Sequence, residues 1–501
     1  VYGTGASVST GSPPAMTSTK NIAPTVESRP TPTVRTYCED HMTGAFSLPA
    51  NQAVMRHDGR STDPVGNHAV VLGAGIGGLL AARVLSGCFD RVTVVERDGG
   101  DGFGARRGVP QGRHLHALPL KTSQLLEELF PGLHAEYLAD GAVTASMRTQ
   151  YRIDLHGHTL HRPSTNQDTI LASRPLLEHR IKERVRDLPG VTLRTGLEAT
   201  GLIAPAATRV IGVVITPKGS RRTESLRADL VVDATGRSAR SLIWLRELGY
   251  SRPPEQRVGI SLAYATQVLR LPVDACGGDR VIAVIPHPAR PQGVYLVARE
   301  DNCWSLTAVG YGSSRPSSTP GRFYDLVHSL LPADVGSALG AAEPVGDIHL
   351  MQIPHVFRRR FDRLSRFPAG LLVIGDALCS ANPVYAGGIG AAASQAILLD
   401  RHVRRGLDGL QRRFFRDTAR ALAGPWWFTA VSDLSMPGVS GPRIPGKRLA
   451  DWYLSRLAEA AAHDAELTSA FLQVASLLSP PSRLAHPAIV AKVLKPARGK
   501  K

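Results

Sequence analysis

The chain has 501 residues, five of them cysteine, and its 59 Lys and Arg against 42 Asp and Glu give a net charge of +17. That length allows two or three domains with ordinary apolar cores, and the cysteines stand alone at Cys38, Cys88, Cys276, Cys303 and Cys379, which excludes a disulfide scaffold or a zinc ribbon. The positive charge is mostly arginine spread along the whole sequence, which argues against nucleic-acid binding, and no apolar run approaches the roughly 20 residues of a membrane span.

Residues 1–66 read as a disordered leader, rich in Ser, Thr, Pro and Gly and without apolar periodicity. The leader lacks the charged start, apolar core and cleavage site of a secretory signal, so a cytoplasmic location is expected. The chain opens on Val, and Met16, Met42 and Met55 are candidate internal starts. From His68 the pattern changes. His68 to Leu72 (HAVVL) reads as a buried strand, followed by Gly73-Ala-Gly75-Ile-Gly-Gly78, an apolar helix to about Ser86, and a second strand from Arg91 to Val95. A helix-rich stretch is expected from about Pro110 to Asp140, and an amphipathic helix from Arg174 to Arg186. Strands are expected at Val191–Gly196, Val210–Pro217 and Ala228–Asp233. Alternation then predicts a largely antiparallel sheet from Val258–Leu269, Val281–Pro286, Gly293–Arg299 and Cys303–Gly310. Gly370–Ile374 (GLLVI) returns as a buried strand and a helix runs from about Gly388 to Arg405. The remainder is helical by period, with Pro breaks.

The glycine run carries the first chemistry. Gly73 permits a tight turn, Gly75 lets backbone approach a pyrophosphate, and Gly78 lets helix and strand pack. A phosphate then sits at the helix N-terminus, where free N–H groups and the dipole favour an anion. Glu96 closes the second strand, where a carboxylate can take ribose hydroxyls; an acid there suits FAD or NAD rather than NADP. The second motif is Gly375-Asp376 after the GLLVI strand, with Asn382-Pro383 and Gly387-Gly388 opening a helix. Asp376 stands at a strand's carboxyl end and can accept a hydrogen bond from a ribityl hydroxyl. The helix starting near Gly388 can point its positive end at a flavin's pyrimidine edge. No paired carboxylates, Ser/His/Asp set or clustered metal ligands stand out.

GAGIGG, DATGR at Asp233 to Arg237 and GDALCSANPVYAGGIGAA at Gly375 to Ala392 together resemble the FAD-dependent monooxygenases of the para-hydroxybenzoate hydroxylase fold. RRGVPQGRHLHAL at Arg106 to Leu118, GISLAYATQ at Gly259 to Gln267 and the FDRL, FPAGLLVIGDA and NPVY segments between Phe361 and Tyr385 resemble an actinobacterial subgroup. That subgroup includes epoxidases acting on polyene precursors of polyethers such as lasalocid and monensin. The resemblance covers about residues 68–400.

It implies that Gly73, Gly75, Gly78, Glu96 and Arg97 hold the AMP half of FAD. It implies further that Arg174 meets the phosphate or ribityl region, that Asp376 binds the ribityl side, and that Gly388 opens the flavin-facing helix. Arg107, Gln111, Arg113, His114 and His116 would lie against the isoalloxazine or line the pocket. His114, His116 and Tyr264 are the catalytic candidates. There are two departures. The middle motif reads DATGRSARS where many aromatic hydroxylases carry Asp-Gly, and Ala386 stands where relatives often have Gly. The W-x-W-x-I-P segment of flavin halogenases is absent, and Pro425-Trp426-Trp427-Phe428 reads as a packed helix start.

The expected fold is α/β: a Rossmann-like FAD-binding domain, an inserted mixed β-sheet substrate domain and a helical C-terminal segment. The expected boundaries are 1–66 leader, 67–255 FAD-binding domain, 256–345 substrate sheet, 346–405 FAD-binding domain again, and 406–501 helical segment. The expected reaction is insertion of one oxygen atom from O2 through a C4a-hydroperoxyflavin, epoxidising an olefin of a polyketide or terpenoid. An alkene needs no base to attack an electrophilic oxygen, whereas a phenol benefits from one. Aromatic hydroxylation and a prenyl-type flavin reduction or desaturation are the alternatives. NADPH or NADH is the expected electron donor, directly or through a partner flavin reductase. A small hydrophobic substrate is expected, with no nucleic acid, no transmembrane segment and no metal.

Overall fold

The computed structural model describes residues 64–99, 110–272, 274–444 and 446–495. The expected leader therefore lies, up to residue 63, outside the described residues. The fold is α/β, with a dinucleotide-type sheet, a second mixed sheet and a helical C-terminal segment.

The first sheet has five parallel strands in the order Leu371–Val373, Leu230–Asp233, Gly66–Leu72, Phe89–Val95, Val191–Arg194. Its central strands are near-continuous apolar runs because helices cover both faces. Register places Leu72 beside Val95 and Asp233, and Asp233 beside Val373. The carboxyl ends of four strands are thus level, and the loops starting at Gly73, Glu96, Ala234 and Ile374 leave from one edge. Helices Ile76–Leu85 and Gly388–Val403 pack together above that edge. Glycine also lets the turn at Gly375 come close to the first helix: a Cβ on Gly77 would stand 3.4 Å from the Gly375 Cα.

The second sheet has seven strands, in the order Glu343–Ile353, Leu262–Arg270, Cys303–Tyr311, Gln292–Arg299, Val281–Val284, Tyr151–Leu155, His158–Thr159. All pairs are antiparallel except Val281–Val284 with Tyr151–Leu155, which makes the sheet mixed. The strand expected at Val258–Leu269 is two strands. Glu255–Val258 pairs with Val356–Arg359 in a separate three-stranded sheet, and Leu262–Arg270 enters the large one. The break falls at Ser261, whose φ of 41° takes it out of the extended region. The sheet also draws on both flanks of its expected span: Tyr151–Leu155 comes from before it, and Glu343–Ile353 runs past residue 345.

The C-terminal helices Lys447–Ala461, Ala465–Ala475 and Pro487–Leu494 form a third core with Met147, Leu155 and Leu160 beneath them. Pro425 to Phe428 falls in the first turns of helix Ala423–Leu434, with Trp426 buried.

Candidate functional site

The three glycines of the first loop separate by what surrounds them. Gly73 has φ 101°, and a Cβ there would meet the Ala234 carbonyl oxygen at 2.7 Å. On Gly78 it would lie 1.9 Å from the Gly73 oxygen. Both glycines are demanded by the protein's own packing. Gly75 is different: a Cβ there would meet nothing within 4 Å. Its Cα faces open space, which fits the close approach of a pyrophosphate. Helix Ile76–Leu85 begins at Gly75 with no side-chain cap, so its first N–H groups are available to an anion. Glu96 is engaged within the protein itself. Its Oε2 accepts from the Ala74 N–H at 2.7 Å and its Oε1 from the Asp98 N–H at 2.9 Å, so it anchors the glycine loop. Arg97 is exposed at the rim.

Asp233, at the end of the neighbouring strand, is fully buried and works on its own loop. Oδ1 accepts from the Thr235 N–H and hydroxyl at 2.9 and 2.6 Å, and Oδ2 from the Ser241 N–H at 2.7 Å. The next strand delivers Gly375, whose φ is 69° and whose N–H donates to Gln395 Oε1 at 2.8 Å. That turn presents Asp376 in a recess, partly accessible yet enclosed by protein. Burial raises its carboxyl above the usual range, while the guanidinium groups of Arg237 and Arg174 oppose the rise. Arg174 opens helix Arg174–Arg186 and donates from Nε to Glu178 Oε2 at 3.0 Å. Gly388 is exposed, and its helix also begins without a side-chain cap.

A short turn, Pro110–Arg113, leads to His114 and His116. Arg107 lies outside the described residues. The Gln111 carbonyl accepts from the His114 N–H at 3.0 Å, and Arg113 is exposed, with Nη1 3.5 Å from His349 Nδ1. His114 is buried, its Nδ1 2.9 Å from Thr266 Oγ1, which is in turn 2.8 Å from Thr307 Oγ1. Its ring meets the Tyr264 ring edge-on, with centroids 4.5 Å apart. His116 donates from Nδ1 to the His114 carbonyl oxygen at 3.0 Å, which leaves Nε2 as the lone-pair nitrogen. Burial lowers His114 to about 4, helped by His349 and Arg113, and lowers His116 to about 3, helped by Arg174. Burial raises the Tyr264 phenol, whose hydroxyl donates to Met351 Sδ at 3.0 Å. All three candidates are therefore neutral near pH 7.

The structure places Arg174 within electrostatic reach of both His116 and Asp376, and Arg237 within reach of both Asp376 and Tyr264. Arg237 was not among the candidate residues read from sequence, although the DATGR motif contained it. It donates to the His355 carbonyl oxygen at 2.6 Å and to Ser380 Oγ, and lies 5.1 Å from the Phe357 ring centre. Among the described residues no cluster of His, Cys, Asp or Glu is arranged to hold a metal, and no helix is long and apolar enough to cross a membrane.

A family model described as an FAD binding domain matches residues 67–414. Protein Rv3254 of Mycobacterium tuberculosis (strain ATCC 25618 / H37Rv) is 35% identical over 438 residues, covering 83% of this chain and 91% of its own. Among solved structures, p-nitrophenol 4-monooxygenase PnpA from Pseudomonas putida DLL-E4 aligns with TM-score 0.59 at 16% identity, covering 83% of this chain and 99% of that one. The flavin-dependent brominase Bmp2 aligns with TM-score 0.59 at 15% identity, covering 82% and 94%. PqsL, a probable FAD-dependent monooxygenase from Pseudomonas aeruginosa, aligns with TM-score 0.52 at 15% identity, covering 81% and 99%. At such identities the likeness is one of fold.

Proposed function

The chain belongs to the FAD-binding-domain family, and on that premise we propose that it is an FAD-dependent monooxygenase that epoxidises an olefin of a polyketide or terpenoid. The residues present suit FAD. Gly75 and the uncapped start of helix Ile76–Leu85 suit the pyrophosphate, Glu96 and Arg97 the AMP half, Arg174 and Asp376 the ribityl side, and the exposed Gly388 end the pyrimidine edge. When bound, FAD supplies the activation of O2 once NADPH or NADH, or a partner flavin reductase, has reduced it.

The observation that carries the choice of substrate is the protonation of the pocket. His114 and His116 stay neutral and are weak bases, and Tyr264 keeps its proton. None is matched to deprotonating a phenol near pH 7, whereas an alkene needs no base to meet an electrophilic oxygen. What remains for these side chains is positioning. Thr266 orients His114, the His114 carbonyl orients His116, and Met351 orients the Tyr264 ring. Together they present a mostly uncharged wall that keeps water from the reacting carbon. The absent W-x-W-x-I-P segment sets the chain apart from halogenation.

The test is turnover of the FAD-loaded chain under 18O2 with a polyene and a phenol offered together, read by mass spectrometry. One labelled oxygen in an epoxide of the polyene is the expected result. Label entering only the phenol would overturn the epoxidase reading in favour of aromatic hydroxylation.

A further inference from the structure

Away from the expected catalysts, four polar side chains meet where the three parts of the molecule join. Asp433 comes from the C-terminal helix Ala423–Leu434, Tyr311 ends strand Cys303–Tyr311 of the large sheet, and Asn382 and Tyr385 belong to the loop that opens helix Gly388–Val403. Asp433 is fully buried. Its Oδ1 accepts from Asn382 Nδ2 at 2.7 Å and from the Tyr311 and Tyr385 hydroxyls at 3.1 Å each. Asn382 Nδ2 also donates to the Tyr311 oxygen at 3.0 Å, and Asn382 Oδ1 accepts from the Val384 N–H at 3.0 Å. The other carboxyl oxygen, Oδ2, is buried with no hydrogen-bond partner among the described residues.

Three donors on one oxygen favour the anion, while a dry oxygen with no cation beside it favours the acid. The titratable neighbours are phenols: Tyr311, Tyr385, and Tyr295 next to Tyr311. The charged groups on adjoining elements are engaged elsewhere. Glu255 pairs with Arg359, Arg257 with His355, Asp417 with Arg416 and Arg420, and Asp451 with Lys447. These opposed effects leave Asp433 raised to about 7, with burial the larger cause. The loop it holds is not relaxed by itself, since Ala386 sits at φ 51° without being glycine.

We propose that Asp433 is a positioning residue for the flavin-facing loop: its carboxylate gathers Asn382, Tyr311 and Tyr385, and its proton state sets how firmly the loop before Gly388 is held for FAD. This rests on the reading of that loop as the flavin's neighbour. Above the midpoint the anion holds all three donors and the loop is fixed. Below it the neutral acid holds them weakly and the loop relaxes.

The experiment is FAD binding to the full chain, followed by flavin fluorescence quenching between pH 5.5 and 8.5, for the unaltered protein, Asp433→Asn, Tyr385→Phe and Tyr311→Phe. The unaltered chain is expected to bind FAD several-fold more tightly at the alkaline end. Asp433→Asn is expected to bind with the weaker, acid-side affinity at every pH. The two Phe variants keep the carboxylate but remove a donor, so their midpoints move to higher pH. If Asp433→Asn does not fold, these two shifts decide the matter. A flat profile in the unaltered chain, an unchanged profile in Asp433→Asn, or unmoved midpoints in both Phe variants would overturn the proposal alone. Failure of the unaltered chain to bind FAD at any pH would overturn the functional reading beneath it.

Discussion

Gly75 and Gly78 belong to one short motif, yet opposite consequences follow from changing them. Gly75→Ala places a methyl where no protein atom lies within 4 Å, so folding stability should move by no more than about 0.5 kcal/mol. FAD affinity should fall at least about tenfold, a cost of about 1.4 kcal/mol. Gly78→Ala drives a methyl into the Gly73 carbonyl and should lower the melting temperature before any ligand is added. Thermal melts with and without FAD separate the two, and a Gly75→Ala protein that binds FAD normally would show that the open space is not ligand space. His114 and His116 set an acid limit on stability. Both have folded pKa values below the ordinary histidine value, so the unfolded chain takes up protons first as pH falls. Stability is full above pH about 6.5 and is lost as pH falls toward 4, by about 2 kcal/mol per histidine between pH 6.5 and 5. Urea melts of His116→Gln at those two pH values should show a shallower loss than the unaltered chain; an equal loss would place the acid sensitivity elsewhere.

Elements with one dominant local signal match the sequence reading, and elements defined by their neighbours do not. Helix Arg174–Arg186 begins and ends where its Ser173 cap and basic last turn place it. Strands Gly66–Leu72 and Phe89–Val95 are legible because their C-terminal halves are buried and carry short apolar, largely β-branched runs. Glu343–Ile353 is an edge strand, exposed along most of its length, so no apolar alternation marks it. Tyr151–Leu155 turns back at His156-Gly157 onto the two-residue strand His158–Thr159, and its longer pairing is with Val281–Val284, which arrives from far along the chain and leaves no local mark. The DATGR element is also decided by hydrogen bonds that its letters do not show. Asp233 uses both oxygens to fix Thr235 and the start of helix Ser241–Glu247. Asp233→Ala leaves those donors without their acceptor and should cost about 3 kcal/mol, read as a lower urea midpoint at unchanged slope. A cost below about 1 kcal/mol would mean that the loop is held by other contacts.

The whole molecule is closed by its C-terminal segment. Leu457, Phe471 and Leu472 cover Met147, Leu155 and Leu160, and Ser469 bonds Ser164. Phe471→Ala should cost about 3–5 kcal/mol by opening a cavity. Amide exchange should then quicken in residues 151–160 ahead of the five-stranded sheet, and uniform quickening would mean that the segment is not a separate layer. The sequence by itself determined the first strand with its glycine loop and helix, the buried strand before Gly375 and the helix after Gly388, because each is written within a few consecutive residues whose backbone needs are local. It also determined that His114, His116 and Tyr264 were worth watching, through their company in short motifs. Only the tertiary structure decided that the two histidines are far weaker bases than usual, because a pKa follows from burial and from charges brought in by neighbouring elements. Only it decided that Asp433, from a helix with no motif of its own, meets Tyr311 and Tyr385: residues 122 and 48 positions away become neighbours through packing alone.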